Sequence, residues 1–262
     1  MSDLSQAIRD TLLTPDSRAK VMATRRLVRA WRAGHLPHEF SARMPERPRW
    51  PDRLQLLPAS QMPRRAGGGS AEKRIALWHA LAHIEFVAID LALDMIGRFG
   101  AQMDREFSAD FLAVAADEAM HFALLERKLA KLGAAYGDLP VHDGLWQAAM
   151  DTSKDVAARL AVVPMVLEAR GLDVTPAMIE RVRMQGDDNG ARILSRILDD
   201  EIRHVAAGSK HFSRICVARR EIPANAWKRL VKLHFRGRLK APFNDSARES
   251  AGLPREYYAV LA

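Results

Sequence analysis

The sequence contains almost no cysteine, and this scarcity limits the kinds of site that the chain can build. Its 262 residues include a single cysteine, Cys216. One cysteine excludes an intrachain disulfide framework, a cysteine-rich zinc site and an internal rubredoxin-type iron centre. A protein without disulfides is typical of the reducing cytoplasm, where we expect this chain to work.

Long hydrophobic runs and a secretory signal are also missing. No stretch approaches 18 consecutive apolar residues, so the sequence predicts no membrane span. The first ten residues, MSDLSQAIRD, contain acidic side chains and no apolar core, unlike a secretory signal. Hydrophobic residues make up 48% and charged residues 27% of the chain, a balance that excludes disorder over most of its length.

The net charge of +8 is concentrated near the N-terminus. Residues 1–70 contain 13 lysines and arginines and 6 acidic residues, whereas residues 71–262 contain 27 and 26. A basic segment can bind nucleic acid, but no RNA-binding motif accompanies this one. We therefore favour a solvated surface segment and keep nucleic-acid binding as the alternative.

Apolar side chains recur at helical spacing nearly everywhere, and strand-like alternation is almost absent. The pattern predicts two N-terminal helices at 4–13 and 16–33, four long helices at 71–98, 108–132, 143–170 and 188–218, a short helix from Thr175-Pro176 to about 184, and a last helix at 224–235. Prolines and glycines predict an extended connector over 35–70. Gly171 predicts a break after the third long helix.

These elements predict an all-α protein organised around a four-helix core at residues 71–218. Residues 1–70 precede the core as two helices and a proline- and arginine-rich connector, which we expect to pack on the bundle. Residues 219–262 follow it as a further helix and an extension.

Two of the long helices carry the same short motif. Asp117-Glu118-Ala119-Met120-His121 and Asp200-Glu201-Ile202-Arg203-His204 both read D-E-x-x-H. Positions i and i+3 of a helix lie on one face, so the Glu and the His of each motif can chelate one metal ion. A single match of this kind is weak evidence.

A repeat along the chain strengthens the signal. Glu85 lies 33 residues before Glu118, and Glu168 lies 33 residues before Glu201, so the whole set recurs with an offset of 83 residues. Two helix pairs, each with one lone Glu and one Glu-x-x-His, form the ligand set of di-iron and di-manganese carboxylate bundles. The predicted metal ligands are Glu85, Glu118, His121, Glu168, Glu201 and His204.

Two interpretations of these residues are possible: a metal site, or a helical bundle in which the carboxylates form buried salt bridges. Glu85 falls among apolar positions of its helix, and Glu168 lies in the apolar stretch LAVVPMVLEARG. A carboxylate on an apolar face must be paired, protonated or metal-bound. Because the faces of these helices carry too few cations to pair four carboxylates, we favour the metal site. Two divalent ions would neutralise it.

Other polar residues lie close to the predicted ligands along the chain. Asp117 and Asp200 each precede a ligand Glu, and we predict that they orient the ligand histidines crosswise, Asp117 with His204 and Asp200 with His121. The alternative is that both are surface acids. His79 and His83 fall on a different, more polar strip of the helix, as an entry-path pair or as ordinary histidines.

The sequence resembles the uncharacterised bacterial ferritin-like family called domain of unknown function 455. The resemblance rests on KRIALWHALAHIEFVAIDLALD, VAADEAMHFALLE, YGDLPVHDGLW, RLAVVPMVLEARGLDVTP, DDEIRHVAAG and the C-terminal APFND…AR…AGL, and it covers roughly residues 10–255. It implies a ferritin-like four-helix fold with a dinuclear metal site at the six ligands above. It implies no substrate.

The favoured function is an oxygen-activating oxidoreductase of hydroxylase or oxygenase type that acts on an organic small molecule. Its cofactor would be two iron ions, or Mn/Fe or Mn/Mn with the same ligands. The alternatives are iron handling, as a ferroxidase or store, and peroxide scavenging of rubrerythrin type. Hydroxylation of tRNA is a subtype of the favoured oxidoreductase function. Because one cysteine cannot hold an internal electron donor, turnover would need an external reductase or ferredoxin.

Overall fold

A computed structural model of the chain describes residues 3–62 and 70–259. Over these residues the regular structure is helical, without strands, apart from an isolated parallel bridge between Leu56 and Val141. The predicted all-α class is confirmed. No helix in the described part of the chain is long and apolar enough to span a membrane. The end of the predicted connector, at 63–69, lies outside the described residues.

The chain divides into two compact units, Met1–Trp146 and Gln147–Ala262. The division separates the two halves of the 83-residue repeat. The first unit contains Glu85 with one D-E-x-x-H motif, and the second contains Glu168 with the other.

The first unit is built on a helical hairpin. Its helices are α1 (Leu4–Leu12), α2 (Ser17–Arg32), α3 (Ala71–Phe99) and α4 (Arg105–Lys131), and α5 (Gly144–Asp151) crosses the boundary between the units. The long helices α3 and α4 pack on each other and are joined by a short turn. Asp104 begins α4 by accepting a hydrogen bond from the Phe107 backbone N–H, which satisfies one of the free amides at a helix start.

A buried ion pair fastens the N-terminal segment to this hairpin. Helix α1 packs on α3, and α2 packs on α4. The Nζ atom of Lys20 in α2 lies 2.7 Å from Oδ1 of Asp90 in α3, and both side chains are fully buried. The indole N–H of Trp50 donates to the other Asp90 oxygen. The carboxylate of Asp90 is thereby paired and hydrogen-bonded, as a buried charge must be.

The second unit contains a matching hairpin. Its helices are α6 (Val156–Val162), α7 (Ala169–Met184), α8 (Asp188–Ala218), α9 (Pro223–His234) and α10 (Asp245–Ser250), with a π-helical segment at Val163–Glu168 between α6 and α7. Helices α7 and α8 pack along each other. Their turn lies at residues 185–187, halfway between Glu168 and the second D-E-x-x-H motif.

The predicted course of the third long helix was wrong. A helix was expected over 143–170 with a break at Gly171, but the chain breaks at residues 152–155 and is then helical from Val156 to Met184. Gly171 lies inside α7 because an α-helix tolerates a single glycine at a cost of about 1 kcal/mol. Asp155 begins α6 by accepting from the Ala157 N–H.

Pro176 also lies inside α7, and the C-terminal segment compensates for it. Proline has no N–H, so the carbonyl of Leu172, four residues earlier, lacks its helical donor. The Asn244 side-chain amide donates to that carbonyl at 3.1 Å. Arg248 reinforces the contact through two hydrogen bonds, of 2.8 and 2.7 Å, to the buried Asp173 carboxylate. Residues of the APFND…AR sequence therefore stabilise the turn of α7 that precedes Pro176.

Candidate metal centre

Three predicted ligands converge inside the first unit. Glu85 on α3 and Glu118 and His121 on α4 are all buried, and each offers a donor atom within 4.8 Å of the others. The Nδ1 atom of His121 lies 3.0 Å from Oε2 of Glu85 and 3.5 Å from Oε2 of Glu118. The imidazole nitrogen thus lies close to both carboxylates.

These separations suit a metal ion. Donor atoms that bind one ion at about 2.1 Å lie roughly 3 Å apart when they are adjacent in its coordination sphere. Carboxylate oxygens and imidazole nitrogens are the donors of non-haem iron and manganese sites. The donor set and its spacing therefore fit one face of a metal centre, with His121 binding through Nδ1.

The pKa values of Glu85 and His121 are shifted strongly from their usual ranges. Burial and the neighbouring Glu118 carboxylate raise the pKa of Glu85 well above its usual range. Although burial lowers the pKa of His121, its hydrogen bonds to Glu118 and Glu85 raise that pKa to about 11. The imidazolium supplies in this form the positive charge that a metal ion can supply instead.

The second unit repeats the local geometry of the D-E-x-x-H motif. Glu201 and His204 are buried on α8, and Nδ1 of His204 lies 3.6 Å from Oε1 of Glu201. The corresponding distance between His121 and Glu118 is 3.5 Å. Each motif therefore orients its histidine Nδ1 toward the glutamate one turn earlier, as chelation of one ion requires.

Glu168, the remaining predicted ligand, ends the π-helical segment and is half-buried. A π-helical turn inserts an extra residue and rotates the following side chains about the helix axis, and such turns often mark functional sites. Gly208 on α8 lies directly against Pro164 of the segment, where a Cβ would come within 2.5 Å of the proline ring. A glycine is needed for this close approach, one turn beyond His204.

Asp200 has cationic partners on its own helix. Its buried carboxylate accepts hydrogen bonds from Arg196 at 2.7 Å and from Arg203 at 2.6 Å. Asp117 is half-buried. The crosswise pairing of these two aspartates with the ligand histidines stays a prediction.

His79 and His83 are buried and support the connector that follows α4. The Nε2 atom of His79 accepts the backbone N–H of Gly137 at 2.9 Å. His83 donates through Nε2 to the His142 carbonyl, so its Nδ1 accepts the hydroxyl of Tyr136 at 2.9 Å. Burial lowers the pKa of His83 to about 4, which keeps the ring neutral.

Sequence reasoning did not place Tyr136 in the fold. Its ring is fully buried and packs against Phe86 and Phe122, at centroid distances of 5.2 and 5.1 Å. These phenylalanines directly follow the ligands Glu85 and His121 in the sequence. An apolar aromatic layer therefore adjoins the metal-binding residues of the first unit. A signal for it existed in the repeated ligand–Phe dipeptides, Glu-Phe and His-Phe.

Comparisons with known proteins identify relatives but no activity. The family model described as "Protein of unknown function (DUF455)" matches residues 13–259. An uncharacterized protein of Haemophilus influenzae is 38% identical over 226 residues, which cover 83% of this chain and 75% of the relative. No solved structure matches the chain.

Proposed function

This chain belongs to the DUF455 family of proteins of unknown function, and we propose that it is a dinuclear metal protein that activates dioxygen to oxidise an organic small molecule. The observation that carries the proposal is the group formed by Glu85, Glu118 and His121, a buried group that could hold a metal ion. The 83-residue repeat extends this group to a second set in the other unit.

The proposed site uses all six predicted ligands. Glu85, Glu118 and His121 would hold one side, and Glu168, Glu201 and His204 the other. Four carboxylates balance two divalent cations, which makes the centre electrically neutral and removes the repulsion between buried acids. The proposal requires a ferritin-like four-helix arrangement, in which two helices supply a lone Glu and two supply Glu-x-x-His.

The chain itself contributes binding, orientation and exclusion of water. His121 and His204 present Nδ1 to the carboxylate one turn earlier, so each motif is already arranged to chelate. The first set of ligands is buried, and this exclusion of water protects a reactive centre from side reactions. A reduced pair of iron ions would supply the electrons for the reaction of dioxygen with a substrate.

Metal content tests the ligand assignment. We expect the wild type to bind two metal ions per chain, and we expect Glu118→Ala and Glu201→Ala to lose most of them, because each removes a carboxylate that chelates with its histidine. Glu180→Ala, which changes an exposed acid on α7, is the matched control and should keep both ions. Elemental analysis after dialysis measures the stoichiometry and identifies the metal. Wild-type metal content in both ligand variants would contradict the assignment.

Oxygen consumption separates an enzyme from an iron store. Protein loaded anaerobically with Fe(II) should consume one dioxygen per metal pair and then stop until it is reduced again. An oxygen electrode measures the stoichiometry, and iron added in excess tests continued uptake. Repeated oxidation of many irons per chain without reductant would contradict the enzyme proposal and support storage.

A further inference from the structure

A second basic region lies in the second unit, at the end of α8 and along α9. Residues 219–240 contain eight lysines and arginines and a single acidic residue, Glu221. The preceding stretch, residues 71–218, contains 17 basic and 22 acidic residues. Its negative net charge nearly cancels the positive net charge of residues 219–240 when both are counted together. The positive charge of residues 219–240 is therefore denser than that of the N-terminal segment.

Helix α9 is amphipathic, and its apolar face is already used. Trp227 is fully buried and donates its indole N–H to the Ala161 carbonyl of α6 at 3.1 Å. Leu230 and Val231 are buried beside it. The opposite face faces solvent and carries Asn225, Lys228, Arg229, Lys232 and Leu233.

Cations on this face remain available to a partner. Arg229 pairs with Glu221 at 2.9 Å, and Arg236 pairs with Asp151 at 3.0 Å. Lys228 and Lys232, one turn apart, form no ion pair with any residue that the structure describes.

Large apolar side chains are exposed among these cations. Leu233 is 70% exposed, Ile222 66% and Val217 71%. Exposed apolar side chains together with charged ones are the usual composition of a protein–protein contact. The exposed arginines of α2, by contrast, are accompanied by one large apolar residue with an exposed side chain on that helix, Met22. We name the exposed face of residues 217–240 the α9 face.

Nucleic acid and lipid fit the α9 face less well than a protein does. Single-stranded nucleic acid is bound by basic grooves with exposed aromatic rings for stacking, whereas Trp227 is buried and Phe235 is half-buried. An amphipathic helix binds a membrane through its apolar face, and the apolar face of α9 is packed against α6. Charge complementarity therefore selects an acidic protein surface.

We propose that the α9 face docks an acidic protein electron donor for the metal centre. This inference rests on the proposed function, because an oxygen-activating centre must be reduced again and a single cysteine cannot hold an internal iron–sulfur donor. Beneath the face, Trp227 contacts Ala161, seven residues before the predicted ligand Glu168 on one continuous helical stretch. That spacing is about 10 Å along a helix.

The test compares two double charge reversals that change the net charge equally. Lys228→Glu with Lys232→Glu alters the α9 face, and Arg26→Glu with Arg29→Glu alters the exposed face of α2. The probe is a small acidic [2Fe–2S] ferredoxin, whose binding is measured by calorimetry on the full-length protein as purified, at two salt concentrations. Duplex DNA, tRNA and vesicles of phosphatidylglycerol are measured in parallel. Circular dichroism and metal analysis confirm that each variant is folded and keeps its metal content.

We expect salt-sensitive ferredoxin binding that the α9 reversal weakens at least ~tenfold, whereas the α2 reversal changes it by less than about twofold. The α9 reversal should also slow, by a similar factor, the rate at which reduced ferredoxin reduces the oxidised, metal-loaded protein, and the α2 reversal should leave this rate nearly unchanged. Absence of ferredoxin binding, equal losses from both reversals, or tighter binding of DNA, tRNA or vesicles through Lys228 and Lys232 would overturn the proposal. A chain that binds ferredoxin through this face but holds no metal would refute the proposed function instead.

Discussion

At the scale of single residues, the partner opposite each buried carboxylate decides its role. On α3, Asp90 faces Lys20 and Asp94 lies 2.7 Å from Arg98, so each acid has a permanent cation. Glu85, on the same helix, faces a second carboxylate, that of Glu118, and the titratable ring of His121. Permanent ion pairs stabilise a fold, whereas two acids and an imidazole can exchange a proton for a metal ion.

The aspartates that precede the ligand glutamates provide a test at this scale. We predict that Asp117→Asn and Asp200→Asn each weaken metal binding by about 10–100-fold without unfolding the chain, because a ligand histidine depends on a carboxylate for its orientation. Competition with a metal-sensitive dye measures the affinity.

Asp199→Asn is the control, since it changes an exposed neighbour on the same helix. Unchanged affinity in the Asp200 variant would mean that this carboxylate serves only its ion pairs with Arg196 and Arg203.

At the scale of elements, the stretch from α6 to α7 contains three features that usually disturb a helix. Pro164 lies in the π-helical segment, Gly171 follows Glu168 by one turn, and Pro176 removes a backbone donor. Tertiary packing compensates for the two prolines, since Pro164 fits against Gly208 and Asn244 supplies the donor that Pro176 lacks. The helix tolerates Gly171 at a cost of about 1 kcal/mol. Sequence periodicity could not predict a continuous helix here, because the compensating groups are 44 to 68 residues away.

A double-mutant cycle tests the contact between Asn244 and α7. Asn244→Asp keeps the oxygen that accepts the Ala247 N–H but replaces the amide donor that faces the Leu172 carbonyl. We predict a loss of about 1–3 kcal/mol in the free energy of unfolding, because a carbonyl loses its partner and meets an oxygen instead.

In the Pro176→Ala background the alanine N–H can serve the Leu172 carbonyl, so the same change should cost about 1 kcal/mol less. Urea denaturation measures all four proteins. Equal losses in both backgrounds would show that the two sites act independently.

At the scale of the whole molecule, the metal ions should stabilise the fold. Bound ions remove repulsion among buried carboxylates and bind only the folded chain, so each ion at 100 times its dissociation constant adds about 2.7 kcal/mol. We predict that chelation lowers the melting temperature of the wild type and that added metal restores it, as measured by calorimetry. The double variant Glu118→Ala with Glu201→Ala should not respond to metal. An equal response in that variant would place the stabilising metal elsewhere.

The sequence by itself determined the fold class, the two D-E-x-x-H motifs and their repeat. Helical periodicity and the i, i+3 spacing are local properties, so the approach of Glu118 to His121 follows from one helix alone. The resemblance to the DUF455 family was likewise readable from contiguous motifs, and the family match confirms it. The short-range geometry of the candidate site was therefore predictable.

Only the tertiary structure decided which polar residues became structural. His79, His83 and Asp90 fall on one polar strip of the sequence, yet each is buried against a different partner more than 50 residues away along the chain. Tertiary contacts also decided the position of Tyr136 beside Phe86 and Phe122 and the continuity of α7. A buried polar group is stable only when it is paired, and the pairing group here comes from a distant segment, so its identity becomes visible only in the folded chain.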